Sequence, residues 1–373
     1  MCRRLLAAFL AVLMILLTFG CGKTADGKTT AQNSDTADNG KIAIITGASE
    51  QAPELYAVAS KIAKAHPESV LLLKYGEDFY ANPTAVQRAA KAAAENQNVK
   101  AIIFADGVNG TASAVKMVRE MRSDMCIVVC NPHEGSIESK TADLMLSVDF
   151  PALGETAAEK AKEMGAENFV FYSTRRHLQY SSVVALRKAA EDACKEAGIA
   201  FYATSSIDLC ETGRTLESAK QYLAEDAARQ EEKHGKKTAL FCTEPQVQGA
   251  LAADAAAHGM VMPAAFMPSP LALAADLGVD LTGHETDSAY AVQQLGADSV
   301  GVKGIVATWS FSAYAAFLQA ACDYAAGVLS GSGEAASVDS VQELLKPYTD
   351  GAQITVKTDA LGAYLVQSKL VTL

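Results

Sequence analysis

The chain has 373 residues, about twice the length of a typical single domain, so two domains are the first expectation. It is 50% hydrophobic and 20% charged with only 10 Pro, which fits a globular protein with a large core and excludes collagen-like and Pro-rich disordered chains. Its 32 basic against 43 acidic residues leave a net charge of −11, which argues against a partner held through a phosphate backbone.

The first residues read as an address. Arg3 and Arg4 precede an uncharged apolar run, Leu5 to Phe19. That run is short of the ~20 residues a spanning helix needs. It closes in Leu17-Thr18-Phe19-Gly20-Cys21, a small residue before a cysteine, and is similar to a bacterial lipoprotein signal. Residues 1–20 would then be removed, leaving Cys21 as the lipidated first residue and a net charge of −13 once Arg3 and Arg4 are gone. An ordinary signal peptide is the alternative. Residues 22–40 carry no apolar side chain larger than Ala. They cannot bury enough surface to offset ordering entropy, so 21–40 is expected to be a flexible tether to a membrane surface.

Six further cysteines follow: Cys126, Cys130, Cys194, Cys210, Cys242 and Cys322. Cys126 and Cys130 share one strand-like run, which separates them by about 13 Å, beyond the ~7 Å reach of a disulfide. Most of the six read as small buried thiols, and free thiols in an exported chain suggest an anaerobic or Gram-positive source. No spacing suits zinc, and neither a metal nor a cofactor is expected.

From Lys41 apolar runs of strand length alternate with helical periods. The expected strands are 41–46, 70–75, 101–106, 126–131 and 144–149, with helices over 53–65, 83–96 and 110–122 between them. The order then restarts. Helix 152–164 leads to strand 168–174, helix 178–197 to strand 199–205, and helix 214–233 to strand 237–243. Helix 246–258, a broken strand 260–266, helix 286–296 and strand 302–308 follow. Tyr314, Phe317, Leu318, Ala321, Ala325 and Val328 share one face of a late amphipathic helix, and 353–358 reads as a last strand. Continuous apolar strands alternating with helices predict an α/β fold: two doubly wound parallel sheets of about 110–150 residues each.

This layout resembles the type I periplasmic-binding-protein superfamily, which includes sugar-, nucleoside- and amino-acid-binding lipoproteins. The likeness covers about residues 41–373 and is closest to Gram-positive lipoproteins with this fold. It is carried by the lipoprotein signal, the tether, the paired α/β units and the late segment GIVATWSFSAYAAFLQAACDYAAGVLSG, which looks like the return crossover of sugar-binding members. The resemblance implies two lobes joined by a hinge of three crossovers, near Asp149–Pro151, Thr308–Ser310 and Asp350–Gly351. The N-terminal lobe would be 41–149 plus 310–350, and the C-terminal lobe 150–309 plus 351–373.

Ligands of open parallel sheets bind at the carboxyl ends of the strands. That rule selects Ser49, Glu50, Asp106, Asn131, His133, Arg175, Arg176 and Glu244, with Trp309 at a crossover, as candidate ligand-binding residues. Each has a plainer reading. Ser49 and Asp106 suit helix caps, Arg175-Arg176 a solvated pair, His133 an ordinary surface residue, Glu244 the first turn of a helix, and Trp309 the core. Together they suit a small polar ligand with hydroxyls or a stackable ring, and the two arginines leave room for a carboxylate.

Enzyme readings find little support. The run IAIITGAS resembles the opening of a short-chain dehydrogenase, but Gln51 and Pro53 stand where its glycines belong and no Tyr-x-x-x-Lys pair occurs. There is no G-x-S-x-G elbow, Walker loop or H-E-x-x-H. A sugar-repressor-type regulator would need a basic helix-turn-helix ahead of Lys41, where the tether lies. The expectation is a lipid-anchored extracytoplasmic protein, not an enzyme, that captures a small polar solute for the permease of an ABC transporter and binds no nucleic acid. A membrane sensor or protein-interaction partner of the same fold, or an extracytoplasmic hydrolase, are the alternatives.

Overall fold

The computed structural model describes residues 40–76, 78–80, 82–134 and 141–373. The expected signal peptide, the lipidation site Cys21 and the tether up to residue 39 lie outside the described residues. Among the described residues no helix is long and apolar enough to cross a membrane.

The first apolar runs become β1 (Lys41–Thr46), β2 (Val70–Lys74), β3 (Val99–Phe104), β4 (Cys126–Cys130) and β5 (Leu144–Val148). Helices α1 (Pro53–Ala65), α2 (Pro83–Glu95) and α3 (Thr111–Met121) connect the first four. The strands pair in parallel in the order β2-β1-β3-β4-β5, with Ile44 set between Leu72 and Ile103. Alternate side chains of β1 feed opposite cores: Ala43 and Ile45 one cluster, Ile42 and Ile44 the other. Burial on both faces is what makes these strands read as unbroken apolar runs.

A second parallel sheet places β6 (Asn168–Ser173) between β7 (Ala200–Ser205) and β8 (Thr238–Cys242). Helices α4 (Phe150–Glu163) and α5 (Ser181–Ala197) cover one face. On the other lie α6 (Leu216–His234), α7 (Gln248–His258), α8 (Pro270–Asp276) and α9 (Ser288–Leu295). Single parallel bridges, Ala239 to Val261 and Met262 to Val306, extend this sheet toward β9 (Ala307–Thr308). The expected strands 260–266 and 302–308 therefore shrink to bridges and a two-residue strand, because Pro263 and Gly304 interrupt the ladder.

The end of the chain corrects the expected division. Helix α10 (Ala313–Ser330) packs against the first sheet, and α11 (Val338–Leu345) follows it. Then β10 (Ile354–Thr358) and β11 (Tyr364–Ser368) form a hairpin whose turn is held by Asp359 Oδ1, which accepts from the backbone N–H groups of Leu361 and Ala363 at 2.9 and 2.8 Å. β11 runs parallel to β5, so the first sheet has seven strands, and residues 354–368 belong to it rather than to the second lobe. Only β12 (Val371–Thr372), paired antiparallel with β9 in a separate two-stranded sheet, returns to the second lobe. The third crossover lies at 369–370, not at Asp350–Gly351. Val356 and Val366 drive the pairing: both enter the core shared with β5 and α10.

That same core runs without interruption from the first sheet through Trp309 and Phe150 to Phe169 and Phe171 of β6. Tightest of all is the pair α4 and α5. A Cβ added to Gly154 would stand 2.4 Å from the carbonyl oxygen of Leu186 and 3.0 Å from the backbone nitrogen of Ala190. Gly154→Ala must push the helices apart and is expected to cost about 1–3 kcal/mol of stability, read as a lower urea midpoint with an unchanged slope.

Candidate functional site

The loops that follow the carboxyl ends of β1 to β4 and of β6 to β8 meet at a cavity of about 710 Å³. The first sheet lines it through the loops after β1 (Gln51), β2 (Tyr80), β3 (Asp106, Asn109) and β4 (Asn131, His133). The second sheet contributes the loops after β6 (Arg176, His177, Tyr180), β7 (Leu209, Cys210) and β8 (Glu244, Gln246), with Phe266 beyond them. Tyr314 looks in from the first turn of α10.

Five of the nine candidate residues meet there: Asp106, Asn131, His133, Arg176 and Glu244. Four do not. Ser49 and Glu50 are exposed and bonded to each other, Ser49 Oγ to Glu50 Oε1 at 2.9 Å. Arg175 is exposed and does not line the cavity. Trp309 is fully buried beside Phe311, with ring centroids 5.2 Å apart. Neither Ser49 nor Asp106 caps a helix. α1 starts at Ala52 without a side-chain cap, and α3 starts at Gly110.

Asp106 and Asn131 hold the first lobe's side of the cleft. His133 Nε2 lies 3.3 Å from Asp106 Oδ1, an ion-pair distance without a well-aligned hydrogen bond. The Tyr75 hydroxyl donates to the Asp106 carbonyl at 3.1 Å. Burial works to lower the His133 pKa, but the adjoining carboxylate outweighs it and the net direction is up. Asn131 ends β4 with φ +47°, a left-handed conformation that asparagine tolerates better than most residues. Its side chain is buried, yet neither amide atom has a partner. A buried amide with both ends unpaired is costly, and its position on the cavity wall gives that cost a purpose.

On the opposite wall Arg176 is taken by acids. Its Nε lies 3.0 and 3.1 Å from the two oxygens of Asp208, and one terminal nitrogen lies 3.7 Å from Glu244 Oε2. Burial raises the Glu244 carboxyl to about 7 against the lowering pull of Arg176. His177 sits 3.8 Å from the same oxygen and is pushed down to about 3, first by burial and then by the Arg176 charge. It is therefore neutral, and its Nδ1 pairs with Thr243 Oγ1 at 2.9 Å. Asp106 Oδ1 and Glu244 Oε2 join the Asn131 amide as buried atoms without a hydrogen-bond partner.

Glu54, Tyr80, Asp208, Tyr180 and Tyr314 were not singled out from the sequence. Glu54 lies in the first turn of α1, and its carboxylate accepts hydrogen bonds from the hydroxyls of Ser269 (2.6 Å) and Ser312. Those two serines are the N-caps of α8 and α10. Burial pushes the Glu54 carboxyl up, and these bonds pull it back. Tyr80 stands beside Phe79, centroids 4.1 Å apart. The Tyr180 ring lies 5.9 Å from His133 and 6.2 Å from His177, between the two walls. A signal for Tyr80 existed in the aromatic pair of the β2–α2 loop. Tyr314 shares its helical face with Phe317 and Leu318, and that period alone does not set it apart as a cavity residue. Among the described residues no cluster of three or more His, Cys, Asp or Glu is placed to hold a metal ion.

A family model described as "Protein of unknown function (DUF3798)" matches residues 41–306. Two proteins of Treponema pallidum (strain Nichols), both described as "Uncharacterized protein", are 31% and 26% identical over 153 residues. Those matches cover 41% of this chain and 69% and 70% of theirs. Among solved structures, a candidate transcriptional regulator from Clostridium difficile 630 superposes with TM-score 0.73 at 17% identity, covering 89% of this chain and 99% of that one. A sugar ABC transporter protein from Actinomyces odontolyticus gives TM-score 0.53 at 10% identity over 79% of this chain and 85% of its own. A carbohydrate transporter protein from Acidothermus cellulolyticus, in complex with myo-inositol, gives 0.51 at 14% over 84% and 99%. The fold is that of type I periplasmic-binding proteins and the regulators that share it.

The raised Glu244 pKa fixes a sign. A carboxyl whose folded pKa exceeds its unfolded one contributes stability at low pH that is lost as pH rises through the folded value. Glu244→Gln is expected to match the parent at about pH 4, below the unfolded pKa, and to exceed it by roughly 3 kcal/mol at about pH 8 in urea unfolding. Equal stability at both pH values would contradict the burial argument.

Proposed function

The chain belongs to the DUF3798 family, and we propose that it is an extracytoplasmic solute-binding protein that closes two lobes around a small polar ligand. The observation that carries this reading is the set of buried polar atoms at one cavity that make no hydrogen bond: the Asn131 amide and Asp106 Oδ1 from one sheet, Glu244 Oε2 from the other. The Asn131 amide, withdrawn from water without a partner, costs about 1–3 kcal/mol, and a bound solute would return that cost. About 710 Å³ suits a molecule of sugar to drug size. The sugar-binding neighbours support the same reading by their fold.

Cys21, lipidated after removal of residues 1–20, would hold the protein to the membrane, and 22–40 would give the lobes freedom to reach a partner there. That partner would be the permease of an ABC transporter. No catalytic role is assigned. Among the described residues the enclosed basic groups that line the cleft face acidic partners or are neutral.

Titration calorimetry of the full chain against a broad set of small solutes tests the reading. Asn131→Ala and Tyr80→Ala are each expected to weaken the best-bound solute by about tenfold or more, the equivalent of one lost hydrogen bond or stacking contact. Ser49→Ala and Arg175→Ala, on residues outside the cavity, are expected to bind as the parent does. Loss of binding in the second pair rather than the first would move the site elsewhere.

A further inference from the structure

We propose that the cleft selects an uncharged ring compound carrying O–H or N–H donors on two sides, and that it turns away carboxylates and phosphates. This assignment rests on the solute-binding reading and names the class of solute.

The charges decide it. Among the described residues the basic side chains lining the cavity are Arg176, Arg214, His133 and His177. Arg176 is held by both oxygens of Asp208 with Glu244 behind it. His133 faces Asp106, and His177 bonds Thr243. Arg214 is half exposed and lies 3.5 Å from Glu211. Against these stand Glu54, Asp78, Asp106, Glu244, Asp276 and Glu285 on the wall, with Asp208 behind. An anion entering here meets mostly carboxyl groups, and among the described residues the enclosed cations already face carboxylates.

The helix N-termini reinforce the same rule. Parallel α/β folds commonly receive anions at such ends. At some of them the protein sets its own carboxylates, although α1, α5 and α7 start without a side-chain cap. Glu134 Oε2 accepts from the backbone N–H groups of Gly110 and Ala112 at the start of α3, at 3.1 and 2.8 Å. Asp149 caps α4 and is itself bound by Lys357 at 2.6 Å. Glu54 sits at the serine caps of α8 and α10.

The buried atoms without a hydrogen bond favour donors. Asp106 Oδ1 and Asn131 Oδ1 are acceptors on one wall, Glu244 Oε2 faces them as an acceptor when ionised, and Asn131 Nδ2 is a donor beside them. A ligand therefore needs O–H or N–H groups on two of its sides. Tyr80, Tyr180, Phe266 and Tyr314 offer ring faces between those walls. Hydroxyls of a sugar-like ring and N–H groups of a nitrogen heterocycle both meet these demands.

Matched pairs of probes test the assignment on the full chain by calorimetry: D-glucose against D-glucuronate, and uridine against uridine monophosphate. In at least one pair the neutral member is expected to bind, with its anionic partner at least 100-fold weaker. Which pair responds separates the polyol source from the heterocycle. The double variant Asp106→Asn, Glu244→Gln is expected to narrow that gap at least tenfold, a gain for the anion that a misfolded protein would not show. An anion that binds as well as its neutral partner overturns the ligand class and leaves solute binding standing. Failure of all four probes, with no small molecule found by mass spectrometry of the purified protein, overturns the solute-binding reading and the class with it.

Discussion

A parallel strand packed inside a sheet has one useful place to present chemistry, the residues just past its carboxyl end, and β1 to β4 and β6 to β8 present theirs to one cavity. The side chains inside the sheets are committed to packing. Ile44 touches neighbours on both sides, and Phe169 and Phe171 stack within a continuous core. Only the loops are free to vary, so the chemistry of the molecule is written in short segments such as 106–109, 131–133, 176–180 and 244–246. Every property of the cleft follows from what those segments hold.

What they hold is an excess of acid, distributed with care. Arg176, the most enclosed cation of the cleft, is divided between Asp208 and Glu244, so it anchors the second wall instead of reaching for a ligand. His177 beside it is kept neutral by burial and by that same charge. The sequence suggested two adjacent arginines ready for a carboxylate. The fold separates them: Arg175 faces solvent and Arg176 turns inward to partners of its own.

The sheets, the alternation of elements and the place of the cleft were legible because two-sided burial leaves unbroken apolar runs, and those runs need no tertiary knowledge to find. The strand-exit rule alone selects Asp106, Asn131, His133, Arg176 and Glu244, which the fold brings to one cavity. Ser49 and Glu50 obey the same rule but lie exposed outside it, and Gln51 and Glu54 line the cavity instead. Glu54 was invisible for a different reason. Its partners, Ser269 and Ser312, lie more than 200 residues away, and no local pattern encodes that meeting. Trp309 was undecided between core and cleft, and its neighbour Phe311 shows which side won. The last hairpin was misplaced because its inward residues, Val356 and Val366, are few, and short edge strands carry little pattern.

The path of the chain through the two sheets has a consequence for how the molecule assembles. Nearly everything in the second lobe comes from one continuous stretch, β6 to β9, with only the two residues of β12 added from the end. The first sheet waits for α10, β10 and β11, which are made last and must pair with β5 across more than 200 residues. Contacts so distant in sequence close slowly. As the polypeptide emerges, its middle can mature early while its beginning stays unfinished, with an unpaired edge along β5 that depends on the final residues for its cover. A truncation near the carboxyl terminus would therefore damage the part of the molecule that was synthesised first.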